Sequence, residues 1–356
     1  MPQQFLPGQA VLWHTAETLA IAAAGGILLT WLGFPAGLVT GSLLGVAVAA
    51  LAGRPLDVPT PLARVLYVLV GISLGAVVSP ETLKGLARFP LSVAVLAVSS
   101  LAMIAATSAY LRYVHGWDRL SALFGASPGA LAQVMTLSAE YKADLRAIAI
   151  VQTLRVVALT VGIPSGLALF GLDAPGGIMA RLGSTHPESL LELAILLAVS
   201  TGAGVVVWRL RLPGGLMFGA MLASAILHGG GYISAALPWW AASAAVIGIG
   251  AITGSRFANT SPLTLLRFLG AAVGSFTVAI TIATLSVLVL TTLLSVPVAD
   301  AIVAFAPGAQ DTMMVLALAL HLDPVFVGAL HLSRFVLVSL LVPILAQRIR
   351  RLPRDS

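Results

Sequence analysis

Ser-Pro-Gly-Ala-Leu-Ala-Gln-Val-Met at 127–135 returns as Ala-Pro-Gly-Ala-Gln-Asp-Thr-Met-Met at 306–314. The same offset of 179 residues carries Pro128 to Pro307, Gly129 to Gly308, Met135 to Met314, Asp144 to Asp323, Arg155 to Arg334 and Pro164 to Pro343. Helix breakers, acids and arginines that recur at one fixed spacing inside an apolar chain indicate a duplicated membrane unit whose irregular backbone lies near mid-bilayer. Fainter echoes extend the repeat outward. Pro35, Gly37, Leu38 and Gly41 match Pro213, Gly215, Leu216 and Gly219, while Gly75 and Arg-Phe at 88–89 match Gly254 and Arg-Phe at 267–268.

Composition agrees with that reading. The 356 residues are 59% hydrophobic and 9% charged, and apolar runs long enough to cross a hydrocarbon core of roughly 30 Å recur throughout. No polar stretch is long enough for a soluble catalytic or DNA-binding domain. The expected fold is therefore all-α and integral to the membrane, with two homologous repeats of about five or six helices each. Residues 1–172 form the first repeat, 173–188 a linker, 189–347 the second repeat and 348–356 a basic tail. A cleavable signal pattern is missing from the first sixteen residues, so the first span is expected to be retained. Cysteine is absent, which removes thiolate metal sites and Cys nucleophiles. The net charge of +6 comes from arginines and lysines that cap spans, where they act as anchors and topology signals.

Candidate spans in the first half are 13–31, 35–53, 62–79, 90–114, 119–139 and 144–171. The second half offers 189–208, 213–231, 238–255, 265–292, 298–320 and 324–346. The tail carries Arg348, Arg350, Arg351 and Arg354, which the positive-inside rule places in the cytoplasm. Twelve plain crossings would then leave Arg209 and Arg211, and also Arg256 and Arg267, on the opposite side. A 298–320 segment that enters and leaves on one face, or one crossing fewer elsewhere, restores both pairs to the cytoplasm. The same correction in the first half gives an odd number of crossings per repeat, and hence inverted repeats.

Proline removes a backbone donor and crowds the preceding turn, and glycine beside it tolerates unusual dihedrals, so Pro128-Gly129 and Pro307-Gly308 predict broken helices or re-entrant segments. Open backbone at membrane depth must be buried in protein or line a wet cavity. Each break frees the N-terminus of a new half-helix, where N–H groups and dipole attract an anion. The plainer alternative is a proline kink whose freed carbonyl is satisfied by Ser127 or Thr312. The polar residues that follow are Gln133 in the first copy and Gln310, Asp311 and Thr312 in the second. Asp311 is the only carboxylate that the span assignment places well within a helix. It reads either as a group that couples a proton or sodium ion, or as an acid steadied by the dipole of the second half-helix.

Asp144 and Asp323 each open the last helix of a repeat, and Asp-Pro at 323–324 is a favoured helix start. Arg155 and Arg334 lie eleven residues further on, about 16 Å into the helix and too deep to snorkel easily. Gln152 and His331 share their faces at three-residue spacing. The arginines suit a substrate carboxylate, a pairing with Asp311, or the carbonyl end of a broken helix. Two arginines and two positive half-helix ends outweigh one aspartate, which favours a small organic anion or zwitterion over a simple cation.

The paired motifs, Ser-Pro-Gly through Gln, Arg and Pro in one half and Ala-Pro-Gly through Asp, His, Arg and Pro in the other, resemble the AbrB family of duplicated membrane proteins. The likeness covers essentially the whole chain. Members of that family are often labelled ammonia monooxygenase or regulator, and the wider group that they resemble contains bile-acid-type symporters and cation/proton antiporters with inverted repeats and unwound helices. The resemblance implies secondary transport, with Pro128, Gly129, Pro307, Gly308 and Asp311 where such carriers place unwound site residues. Ala132 stands where an antiporter would repeat Asp311, so antiporter stoichiometry does not carry over.

An oxygenase would need metal ligands, yet His14, His115, His186, His228, His321 and His331 show no ligand spacing, and no enzymatic centre or cofactor is expected. The expected partners are membrane lipid and a small-molecule or ion substrate, with no direct nucleic-acid binding. A membrane-embedded sensor that affects gene expression indirectly is the competing function. Glycines 25, 26, 41, 45, 71 and 75 fit close internal helix packing better than a dimer seam, and a homo-oligomer stays open.

Overall fold

A computed structural model describes residues 7–78, 89–129, 131–171, 189–210, 214–258 and 260–351. The linker expected at 173–188 and the echo residue Pro213 lie outside the described residues. Those described form fourteen helices. In the first repeat they are α1 (Pro7–Trp31), α2 (Gly37–Leu51), α3 (Thr60–Gly75), α4 (Phe89–His115), α5 (Arg119–Ala126), α6 (Leu131–Glu140) and α7 (Leu145–Leu169). In the second they are α8 (Leu190–Arg209), α9 (Gly215–Gly229), α10 (Trp239–Ser255), α11 (Pro262–Leu293), α12 (Val298–Phe305), α13 (Gln310–Ala319) and α14 (Pro324–Arg351). Helix suits an apolar chain in lipid, because it satisfies the backbone's hydrogen bonds within each segment. Six helices, α1, α4, α7, α8, α11 and α14, are long and apolar enough to cross a membrane, and α2, α3, α9 and α10 are shorter apolar helices. This is a multi-pass membrane protein.

The two spans with Pro-Gly at their centres are not single crossings. The first divides into α5 and α6, of eight and ten residues, which measure about 12 and 15 Å, half a hydrocarbon core each. Its path follows from four contacts. The Asp144 N–H donates to Ser121 Oγ at 2.9 Å, so the chain leaving α6 has come back to the start of α5. Tyr141 meets Phe124 edge to face at 6.0 Å between ring centroids. From there α7 climbs alongside α5 in the same direction, and Gln152 and Arg155 reach the carbonyls of Phe124 and Ser127. The segment is a re-entrant hairpin that enters and leaves on one face.

The turn out of each hairpin repeats bond for bond. Lys142 and His321 both adopt the left-handed conformation, at φ 56° and 59°, and Ala143 N–H to Ser138 O and Leu322 N–H to Ala317 O each span 2.9 Å. These are the bonds of a helix C-terminal cap that reverses the chain. Asp144 Oδ1 then accepts from Ala147 N–H, and Asp323 Oδ1 from Val325 N–H, so both aspartates cap the next helix as their sequence position suggests.

Contacts group the chain into two compact units, one of residues 1–84, 160–262 and 314–325, the other of residues 85–159, 263–313 and 326–356. In the first unit α1 packs on α2, α8 on α9, α2 on α10 and α3 on α9. Small residues permit these crossings. A Cβ on Gly41 would strike the carbonyl of Gly25, and one on Gly250 would lie 2.6 Å from the Ser42 Cβ, so the glycine pattern serves internal packing. Pro164 inside α7 withholds the N–H that Thr160 O would otherwise accept, and the Thr40 hydroxyl of α2 donates to that oxygen at 3.2 Å instead.

The second unit holds both hairpin breaks. Leu123, Phe124, Val134 and Ile148 from the first repeat pack with Val338, Val342 and Ala346 of α14. Along α14, Arg334 lies beside the hairpin tip, its Cδ 3.8 Å from an ideal Cβ on Gly129, and Arg350 lies over the Tyr141 ring at the hairpin base. Helix α14 therefore runs from tip to base, whereas α7 runs from base to tip. Equivalent helices of the two repeats are antiparallel, so the repeats are inverted. Among the described residues each repeat has five apolar helices of ten residues or more outside its hairpin, an odd number that agrees with this.

Candidate functional site

Each proline has a predictable local consequence. Pro128 and Pro307 cannot donate to the carbonyls four residues back, Phe124 O and Val303 O, which end the first half-helix of each hairpin. Buried deep in the membrane, such oxygens need donors. Gln152 Nε2 donates to Phe124 O at 2.8 Å, and His331 Nε2 donates to Val303 O at 3.0 Å. The plainer alternative gave this task to Ser127 or Thr312, and for Ser127 the structure corrects it. The Ser127 hydroxyl donates to Leu123 O instead. A short hydroxyl on the same half-helix reaches back one turn, whereas an amide or imidazole on the parallel helix approaches the free carbonyl from the side.

One turn further along α7 and α14 are the arginines. Arg155 Nη2 donates to Ser127 O at 3.3 Å. Arg334 donates from Nη1 to Ala306 O and from Nη2 to Phe305 O and Ala304 O, at 2.9 and 3.1 Å for the latter two. Donor and acceptor stand 28 residues apart at 152 and 124, 155 and 127, 331 and 303, and 334 and 306. Of the three roles open to the arginines, the described hydrogen bonds place them at the carbonyl ends of broken helices. With 5% of Arg155 and none of Arg334 exposed, neither guanidinium reaches water by snorkelling.

The caps do not use every donor. Buried polar atoms without a hydrogen-bond partner include Arg155 Nε, Arg334 Nε, Gln310 Nε2 and His331 Nδ1. Because His331 Nε2 supplies the proton to Val303 O, its unpartnered Nδ1 in the neutral ring is a lone pair. A charge at the membrane centre costs about 2.5–3.5 kcal/mol on the insertion scale. Hydrogen bonds to a charged group return roughly 1.5–3 kcal/mol each. Three bonds therefore compensate Arg334, while one long bond leaves Arg155 short of a partner.

The breaks themselves meet. Gly129 has φ +83°, and an ideal Cβ there would lie 3.9 Å from Gly308 O as well as against Arg334. The structure thus gathers Gly129, Gly308, Arg334 and the caps from Gln152, Arg155 and His331 around two interrupted helices. Gln310 is buried in the first turn of α13, Thr312 is fully buried, and Asp311 between them is half-buried. The side chain of Gln133 lies outside the described residues. Asp311 is not the one acid within the hairpins: Asp300, in the first turn of α12, is only 7% exposed. Its position two residues inside a span made it look peripheral, but α12 starts among packed helices. Among the described residues no group of three or more His, Asp or Glu is placed to hold a metal ion.

Two inverted repeats, each contributing a re-entrant hairpin whose break lies against buried cationic caps, define a class of duplicated polytopic membrane protein. Residues 38–350 match the family described as "Transition state regulatory protein AbrB", and the chain belongs to that family. It is 29% identical over 342 residues to the Escherichia coli (strain K12) protein named "Putative regulator AbrB", covering 94% of this chain and 95% of the relative. It is also 25% identical over 352 residues to "Uncharacterized protein YhjN" of Bacillus subtilis (strain 168), covering 91% and 90%.

Proposed function

We propose that the protein is a secondary carrier for a small organic anion or zwitterion, working by alternating access and coupled to H+ or Na+. The supporting observation is the cluster of buried, unpartnered donors, Arg155 Nε, Arg334 Nε and Gln310 Nε2, beside the apposed breaks at Gly129 and Gly308. An anion between the hairpins would satisfy donors that the protein leaves unmet. Asp311, at the start of α13, is the acid that would exchange the coupling ion. The carrier has no catalytic chemistry in this reading. It lies in the inner membrane with its basic tail in the cytoplasm.

The test is counterflow in proteoliposomes, with labelled small carboxylates and amino acids under imposed proton or sodium gradients. Accelerated exchange by the wild type, lost in Arg155→Gln and uncoupled from the ion gradient in Asp311→Asn, is the expected result. A second reading has support in the name of the Escherichia coli relative, which calls that protein a regulator. A membrane-embedded sensor would bind the same anions, with the same loss in Arg155→Gln, but would carry no flux. Saturable binding without counterflow of any bound solute decides for the sensor.

A further inference from the structure

A second polar site lies at the base of the first hairpin, about as far from the hairpin tip as its helices allow. A cleft of about 620 Å³ opens among the end of α4, the starts of α5 and α7 and the first turns of α11. Its floor is Ser121, Ala147 and Ala271, its walls are Trp117 and Phe268, and its charged groups are His115, Asp118, Asp144, Arg146 and Arg267.

The charges are not equally available. Asp118 Oδ1 accepts from Leu120 N–H at 3.0 Å and Ser121 N–H at 2.9 Å, and Asp144 Oδ1 accepts from Ala147 N–H at 3.0 Å. Both acids are thus committed to helix starts, each of which contributes about half a positive charge. His115 Nε2 lies 3.2 Å from the Tyr110 hydroxyl. The Arg267 guanidinium rests 5.8 Å from the Phe268 ring centroid, a contact that orients it and leaves its N–H donors unused, and Arg146 extends from the exposed rim. Two arginines and two helix ends against two aspartates leave roughly one unit of positive charge in the cleft. Phe268 is held in turn by an edge-to-face contact with Trp117 at 6.3 Å.

We infer that this cleft binds a phosphate group through Arg146 and Arg267. Guanidinium matches phosphate with paired N–H donors, and the aromatic walls suit the organic part of a phosphate ester. Helix ends put the cleft at a membrane face, where phosphate comes either from an anionic phospholipid headgroup or from a soluble compound. Its floor includes Ser121, which accepts the Asp144 N–H, so an occupant would rest on the joint where hairpin and α7 meet. The site is independent of whether the protein carries a solute.

The test is isothermal titration of the full chain in a maltoside detergent with inorganic phosphate, with short-chain phosphatidylglycerol and with phosphatidylcholine of the same chain length. The variants are Arg146→Gln, Arg267→Gln and, as a control for general charge, Arg348→Gln in the basic end of α14. Phosphate or phosphatidylglycerol should bind more tightly than phosphatidylcholine, with a loss of at least threefold in each cleft variant and none in Arg348→Gln. Preference for inorganic phosphate assigns a soluble ligand, and preference for phosphatidylglycerol assigns a lipid. Thermal unfolding at the wild-type temperature confirms that the variants fold. Absent binding, equal affinity for phosphatidylcholine, or equal loss in all three variants overturns the inference.

Discussion

The two hairpins are copies of one design, and they have diverged where it matters. Both end their first half-helix at a proline, both hand the freed carbonyl to a side chain 28 residues ahead, and both leave through the same left-handed turn. Yet the first uses Gln152 where the second uses His331, and Arg155 makes one 3.3 Å bond where Arg334 makes three. Ala132 in the first faces the same repeat position as Asp311 in the second. Arg334 is thus the more fully bonded of the two arginines, and Arg155 the one with more donors to spare. Duplication supplied the frame, and divergence gave the two caps unequal holds on it.

The largest expected effect tests that asymmetry directly. Arg334→Ala strips donors from three buried carbonyls, and at roughly 1–3 kcal/mol each it should cost at least about 3 kcal/mol of stability. Arg155→Ala should cost about 1 kcal/mol, since its single bond is long. Thermal unfolding in detergent, read side by side, checks the difference, and equal losses would erase the distinction between the two caps. Next in size is the proline-freed carbonyl. His331→Leu should destabilise by about 1–3 kcal/mol, whereas His331→Gln, which installs the first hairpin's solution in the second, should recover most of that loss. Failure of glutamine to rescue would mean that the two caps are not equivalent. Smallest is the tip. Gly129→Ala forces a side chain into φ +83° at about 1–2 kcal/mol, while Gly308→Ala, which has no positive φ, meets only the flexible Met313 side chain and should cost less. A reversed order would put the strained break in the other hairpin.

Much of this frame was legible in the sequence. The 179-residue offset marked both breaks, and the arginine pairs already favoured an odd number of crossings. What hydropathy could not resolve was the path of residues 119–140. A window of that length scores alike whether it crosses once or folds back after eight residues, and contacts such as the approach of Asp144 to Ser121 separate the two. The partners of the caps were hidden for a related reason. Ser127 and Thr312 are near the prolines in sequence, but Gln152 and His331 are near in space, because α7 and α14 run parallel to the half-helices that they serve. Asp300 escaped notice because its burial comes from packing around the start of α12, which one-dimensional hydropathy does not see.

The constant interval between each cap and its carbonyl makes α7 and α14 work as rulers with two marks. One residue added between Ala147 and Gln152 would swing both marks by about 100° and advance them by about 1.5 Å, detaching amide and guanidinium together. Substitution of side chains around the hairpin tips leaves that registry in place, whereas a change in the length of helix leading up to them does not.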